Sequence, residues 1–157
     1  GDYDGTLRDL IHAFQYGGRR RIAVGLGALL RRHGEELLVD AEVVVPVPLH
    51  RSRERQRGFN QSALLAGTLG LPVARALRRQ RATPSQATLP ATRRQANVRD
   101  AFAPGRDSAE VANRVVVLVD DVCTTGATLN ACADVLKRQG AREVRALTVA
   151  RVVPKRR

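Results

Sequence analysis

The sequence predicts an α/β fold, an open and mostly parallel sheet flanked by helices. Three observations carry this. Val115 to Val119 is an uninterrupted apolar run rich in β-branched residues, the pattern of a strand buried on both faces. Val43-Val44-Val45-Pro46-Val47-Pro48 is a second such run, with its prolines at the strand's end rather than its middle. Each run is followed by a polar turn and then by apolar residues at helical spacing, so a strand–loop–helix unit occurs twice. At 157 residues the chain suits one domain, 1–157, with a core of its own.

The elements follow in order. Leu7, Leu10, Ile11 and Phe14 keep i, i+3, i+4, i+7 spacing and predict a helix over 4–16, broken at Tyr16-Gly17-Gly18. A second helix is expected over 19–33, with Ile22, Leu26, Leu29 and Leu30 on one face and Gly34 after it. Arginines 19–21 at its start oppose the helix dipole and read as a solvated charge run. Residues 1–34 thus form a helical N-terminal part that precedes the sheet.

After the strand at 43–48 comes Leu49-His50-Arg51-Ser52-Arg53-Glu54-Arg55-Gln56-Arg57-Gly58, read as a loop with arginine at every second position. A helix is expected over 60–69, capped by Asn60, with Leu64, Leu65 and Leu69 inward. Residues 75–99 hold seven arginines and no acid and are rich in turn formers, so 75–100 is expected to be a long loop. Ala101-Phe102-Ala103 resumes a strand. Leu129, Cys132, Ala133 and Leu136 mark the helix that starts at Ala127 and ends before Gly140. Glu143 to Val153 reads as the last strand, followed by the basic tail Lys155-Arg156-Arg157.

The net charge is +12, and of 27 basic residues all but Lys137 and Lys155 are arginine. Guanidinium forks bind phosphate oxygens bidentately and stack on bases, so a polyanionic partner is expected. No apolar run approaches the roughly 20 residues of a membrane span, and no secretory signal is visible. Cys123 and Cys132 are too few for a disulfide framework, lack metal-site spacing and read as small packing residues, in keeping with a reducing cytoplasm. The chain has no methionine and begins at Gly1, which leads to the expectation of further N-terminal sequence.

The chemistry concentrates between Val115 and Leu129. Asp120 and Asp121 follow the apolar run, then come Thr124-Thr125-Gly126 and a helix start. Backbone N–H groups of Thr124 to Thr128, the helix dipole and three hydroxyls make a phosphate cradle. Carboxylates beside such a cradle make sense if the ligand also carries vicinal hydroxyls, or a divalent metal reached directly or through water. A sugar phosphate with a free diol meets both conditions. A plain helix cap would need neither two acids nor a Thr-Gly turn.

This stretch resembles the phosphoribosyl pyrophosphate (PRPP) motif of type I phosphoribosyltransferases. The resemblance implies that fold, with the N-terminal helices as a hood-like addition. It implies Asp120 and Asp121 on the ribose hydroxyls and on Mg²⁺ brought with PRPP, and Thr124, Thr125, Gly126, Ala127 and Thr128 on the 5-phosphate. It makes 48–58 the pyrophosphate loop, with Arg51, Arg57 and Gly58 as its candidates. It makes 75–100 a mobile loop that shields an oxocarbenium-like centre from water, with Arg93 and Asn97 as its candidates.

Further stretches resemble the ComF family of competence proteins: Tyr3-Asp4-Gly5 with Leu7 through Phe14-Gln15-Tyr16, Val45-Pro46-Val47-Pro48-Leu49, Arg57-Gly58-Phe59-Asn60-Gln61, and Thr83 with Gln86, Arg93 and Asn97-Val98. That family implies a cytoplasmic protein of DNA uptake in natural transformation, working on single-stranded DNA beside a helicase-like partner. Dimers are common in the fold. Many members begin with a four-cysteine zinc ribbon, so zinc is expected only in such a module, which these residues lack.

Departures from known enzymes of the family are plain, and together they argue against purine salvage. Thr124 stands where purine enzymes place an acidic base, residues 75–99 lack the lysine that orotate enzymes carry in their mobile loop, and no aromatic residue follows Phe102 to stack a purine. Two readings remain open: a phosphoribosyltransferase using PRPP or a related phosphosugar, and a non-catalytic nucleotide or single-stranded-DNA binding module on the same fold.

Overall fold

The computed structural model of the chain describes residues 5–17, 20–80 and 100–152. Helices α1 (Gly5–Gly17), α2 (Arg20–His33) and the short α3 (Glu35–Leu38) precede strand β1 (Val43–Pro46). Helices α4 (Arg51–Arg57) and α5 (Gln61–Ala66) follow. Strands β2 (Leu77–Arg79) and β3 (Phe102–Pro104) come next, then a 3₁₀ turn (Ser108–Val111), β4 (Val115–Cys123), α6 (Ala127–Arg138) and β5 (Glu143–Arg151).

The main sheet has the order β1-β4-β5 and is parallel throughout. Val43 pairs with Val116 and Pro46 with Val119, while Val115 pairs with Glu143 and Asp120 with Thr148. A parallel bridge from Val44 to Val73 continues the sheet past β1.

The apolar runs are uninterrupted because both faces of β1 and β4 are covered. Val43, Val45, Val116 and Leu118 meet Cys132, Val135 and Leu136 of α6, with Leu77 and Phe102 alongside. Val44, Val117 and Val119 face the other way, against Ile11 and Phe14 of α1, Leu26 and Leu30 of α2, and Leu65 of α5. Alternate residues of one strand thus serve two cores.

The helical periodicities place most of these contacts. Leu10 and Leu29 are corrections: both lie on the solvent side of their helices, 37% and 45% exposed. Val135, outside the expected stripe, is buried instead. Two further corrections concern elements. Residues 51–57 are a helix rather than a loop, and Leu77–Arg79 is a strand inside the expected long loop, paired antiparallel with β3. The last strand stops at Arg151. Among the described residues no helix is long and apolar enough to cross a membrane.

Candidate functional site

The carboxyl ends of β1 and β4 open on a cleft of about 270 Å³, where ligands bind in open parallel sheets. β4 runs on through both acids to Cys123, so Asp120 and Asp121 are strand residues and point to opposite sides. Cys123 is accordingly the last strand residue, ahead of the turn.

Asp121 is almost fully buried, 6% exposed, and its charge is satisfied by the protein. Its Oδ2 accepts from Gln15 Nε2 at 2.6 Å and from Gln61 Nε2 at 3.2 Å. Its Oδ1 accepts from the Val122 N–H at 2.9 Å. Asp120 Oδ1 accepts from Ser62 Oγ at 2.9 Å and from the Asp121 N–H at 3.0 Å. Burial, and after it the adjacent Asp121 charge, push the Asp120 carboxyl well above its ordinary value. These two neighbouring acids resist ionising together, which is the electrostatic situation a cation or a hydroxyl donor relieves.

The turn after β4 places Gly126 at φ +79°, and α6 starts from it. In that conformation a side chain is disfavoured, and an added Cβ would stand in open space. Thr124, Gly126, Ala127 and Thr128 line the cleft. Thr125 does not: its hydroxyl accepts from the Ala127 N–H at 3.4 Å, which removes one donor from the expected cradle. The N–H groups of Thr124, Thr125 and Gly126 have no partner among the described residues.

The opposite wall comes from α4. His50 caps it, its Nδ1 accepting from the Ser52 N–H at 3.3 Å, and Gly58 closes it at φ +77°. A helix puts Arg53 and Arg57, four residues apart, on one face, and both line the cleft. Arg51 does not reach it. It lines a neighbouring cavity, and Gly58 serves as the helix cap rather than as part of the cleft wall. The alternation of arginines along a loop is thereby replaced by a two-sided helix.

Arg79 of β2 completes the wall. Its guanidinium lies 5.3 Å from the centroid of the Phe102 ring, a cation–π arrangement. Burial, then the Arg53 charge, depress its pKa. Gln15, Gln61 and Ser62 were outside the expected site, while Arg53 and Arg79 fell inside the expected 48–58 and 75–100 loops without being singled out. Gln15 and Gln61 fall inside stretches quoted for the family resemblance, and Arg79 carries no local signal. The Cys132 thiol, raised well above its ordinary value chiefly by burial, is a packing group, as expected. Arg93 and Asn97, with the rest of 81–99 and the basic tail, lie outside the described residues.

Residues 56–156 match the family described as phosphoribosyl transferase domain. The chain is 36% identical over 165 residues to the DNA utilization protein YhgH of Escherichia coli K12, covering 97% of this chain and 70% of that protein. It is 34% identical over 164 residues to competence protein F of Haemophilus influenzae, covering 96% of this chain and 70% of that protein; each aligned length includes gaps. Among solved structures, the glutamine phosphoribosylpyrophosphate amidotransferase from B. subtilis, complexed with ADP and GMP, superposes with a TM-score of 0.51 at 26% identity. That match covers 81% of this chain, which spans about a quarter (26%) of the length of the amidotransferase.

Proposed function

Because the chain belongs to the phosphoribosyl transferase domain family, we propose that it binds PRPP in the cleft at the end of β4 and serves DNA uptake, as a relative of the competence and DNA utilization proteins. One observation carries the reading. Open backbone N–H groups beside Gly126, the acid pair of half-buried Asp120 and buried Asp121, and two arginines of α4 line a single cleft.

Each part of PRPP has a counterpart. The 5-phosphate fits the Thr124–Thr128 turn, where N–H groups and the α6 dipole favour an anion. The ribose diol fits the acid pair, which accepts from its hydroxyls. The pyrophosphate fits Arg53, Arg57 and Arg79. Among the described residues no three acidic, histidine or cysteine side chains gather as a metal cage. Mg²⁺ suits such a site, since it takes one or two carboxylates and completes its shell with substrate oxygens and water. Asp120 and Asp121 are the residues that would hold it, and it would draw charge from the pyrophosphate.

Transfer, in this reading, breaks the bond between the anomeric carbon and a pyrophosphate oxygen. The electron pair leaves with pyrophosphate toward the arginines, and an acceptor's lone pair attacks the oxocarbenium-like carbon. The carboxylate charge held by the acid pair supplies the negative field that favours that carbon. Thr124 itself offers no general base toward an acceptor. The proposed setting is the cytoplasm.

The test is calorimetric titration of Mg²⁺·PRPP into the chain and into Asp121→Asn. Micromolar binding that the variant loses, with its circular dichroism intact, is expected. Equal affinity in the two proteins sinks the assignment.

A further inference from the structure

A second cavity, of about 460 Å³, lies on the far side of the Pro48–Leu49 segment and shares Arg79 with the first. Its floor is apolar: Phe59, Leu64 and Leu77. Arg51, Arg75 and Arg78 surround that floor. Arg78 spends its Nε on the Pro104 carbonyl at 3.1 Å, which leaves its two terminal nitrogens. The Arg51 and Arg75 guanidinium groups have no partner among the described residues. Glu54 is the one acid among the lining residues.

Three guanidinium groups around an apolar floor form an arrangement with two demands. The arginines call for an anion with several oxygens, because guanidinium forks bind phosphate bidentately. The floor calls for a flat apolar body, which bare phosphate or pyrophosphate does not have. The volume lies within the range of small-molecule pockets, and it is too small for a docked helix.

We propose that this second cavity binds a nucleotide unit, with the base against Phe59, Leu64 and Leu77 and the phosphate against Arg51, Arg75 and Arg78. The unit is either a free nucleotide or one residue of a single strand. The site stands on its own residues and does not depend on PRPP occupying the first cleft. The shared Arg79 places an anion bound here beside the first cleft.

The experiment measures binding of a fluorescent oligothymidylate to the chain by anisotropy, with thymidine monophosphate as competitor and an abasic oligomer of equal length as comparison. The variant is Arg75→Glu/Arg78→Glu. Its control is Arg32→Glu/Arg138→Glu, which changes the charge equally at exposed positions that line neither cavity. We expect affinity to fall about 10-fold or more in the variant and to stay within about threefold in the control, since a loss of local contacts exceeds a uniform change in the field. The abasic oligomer should bind more weakly than the oligothymidylate. Competition by the monophosphate identifies a free nucleotide as a sufficient ligand, whereas oligomer binding without competition identifies a strand.

Equal losses in variant and control would overturn the proposal, because binding would then be diffuse. So would an unaffected variant, an abasic oligomer that binds as tightly, or a chain that binds neither probe. Titrating PRPP into Arg75→Glu/Arg78→Glu keeps the two sites apart. Loss of oligomer with PRPP binding kept belongs to the second cavity alone, and loss of PRPP binding in Asp121→Asn belongs to the first.

Discussion

Gln15 Nε2 donates to Asp121 Oδ2 at 2.6 Å, a bond between side chains 106 residues apart in the chain. It ties α1 to the end of the central strand. The N-terminal helices are therefore part of the site's wall as well as of the core, through Ile11 and Phe14 on one side and Gln15 on the other.

Replacing Gln15 with Ala removes a charge-assisted hydrogen bond from a buried carboxylate and leaves Gln61 as its side-chain donor among the described residues. The expected cost is about 1–3 kcal/mol of stability, read as a lower urea midpoint at unchanged m-value. PRPP affinity should fall too, because Asp121 loses its orientation. An unchanged midpoint would show that the bond is not formed in solution.

Asp120 gives a pH dependence. Its carboxyl holds a proton more tightly folded than unfolded, from burial first and the Asp121 charge second. The sign follows: its contribution to stability is fully present below the unfolded value of about 3.9 and is lost as pH rises toward the raised folded value. Asp120→Asn should thus gain stability relative to wild type on going from about pH 4 upward. Denaturant titrations at stepped pH, with chelator present, check this. Asp121→Asn should move the wild-type window to lower pH, since it removes the neighbouring charge.

Gly126 and Gly58 have nearly the same backbone, φ +79° and +77°, and both have open space where a Cβ would go. Alanine at either should cost about 1–2 kcal/mol through the left-handed conformation alone. The two should differ in ligand binding. Gly126→Ala puts a methyl group into the phosphate turn and should weaken PRPP. Gly58→Ala acts at the end of α4, outside the cleft lining, and should leave PRPP affinity nearly unchanged. Thermal unfolding and calorimetry on the pair separate strain from contact.

The arginines of α4 should divide by face. Arg57→Ala should weaken PRPP by about 1.5–3 kcal/mol if it meets the pyrophosphate, the range for hydrogen bonds to charged groups. Arg51→Ala, on the neighbouring cavity, should not. Equal losses from the two substitutions would mean that the pyrophosphate is bound by the field of the loop rather than by one face of a helix.

The parts of the fold that were legible are those whose signal is local. The run Val115–Val119 announces a strand buried on both sides, and the 3.6-residue spacing of Leu129, Cys132 and Leu136 announces α6. The acids and the Thr-Gly turn follow directly in sequence, so this stretch of the cleft lining was legible with them. Helix α4 was not, because Arg-Ser-Arg-Glu-Arg-Gln-Arg has no apolar period to reveal it. Strand β2 is three residues long and carries two arginines, so it looks like the basic stretch around it. Gln15, Gln61 and Ser62 were missed for a different reason. An amide or hydroxyl shows no preference for a partner until the fold brings a distant carboxylate to it.

The parallel order β1-β4-β5 also sets a timetable. β4, α6 and β5 are consecutive, and they hold the acids and the Thr-Gly turn in one short stretch of chain. β1 must wait for a partner far downstream, as the Glu42–Val115 contact across 73 residues shows, and α1 must wait longer still. A growing polypeptide delivers α1, α2 and β1 before β4, the central strand they pack against, exists. Contacts this remote in sequence form slowly, and the early helices carry exposed apolar faces until they do. Since Gln15 and Glu42 reach partners on β4, 106 and 73 residues downstream, their contacts are expected to form late and to complete the cleft.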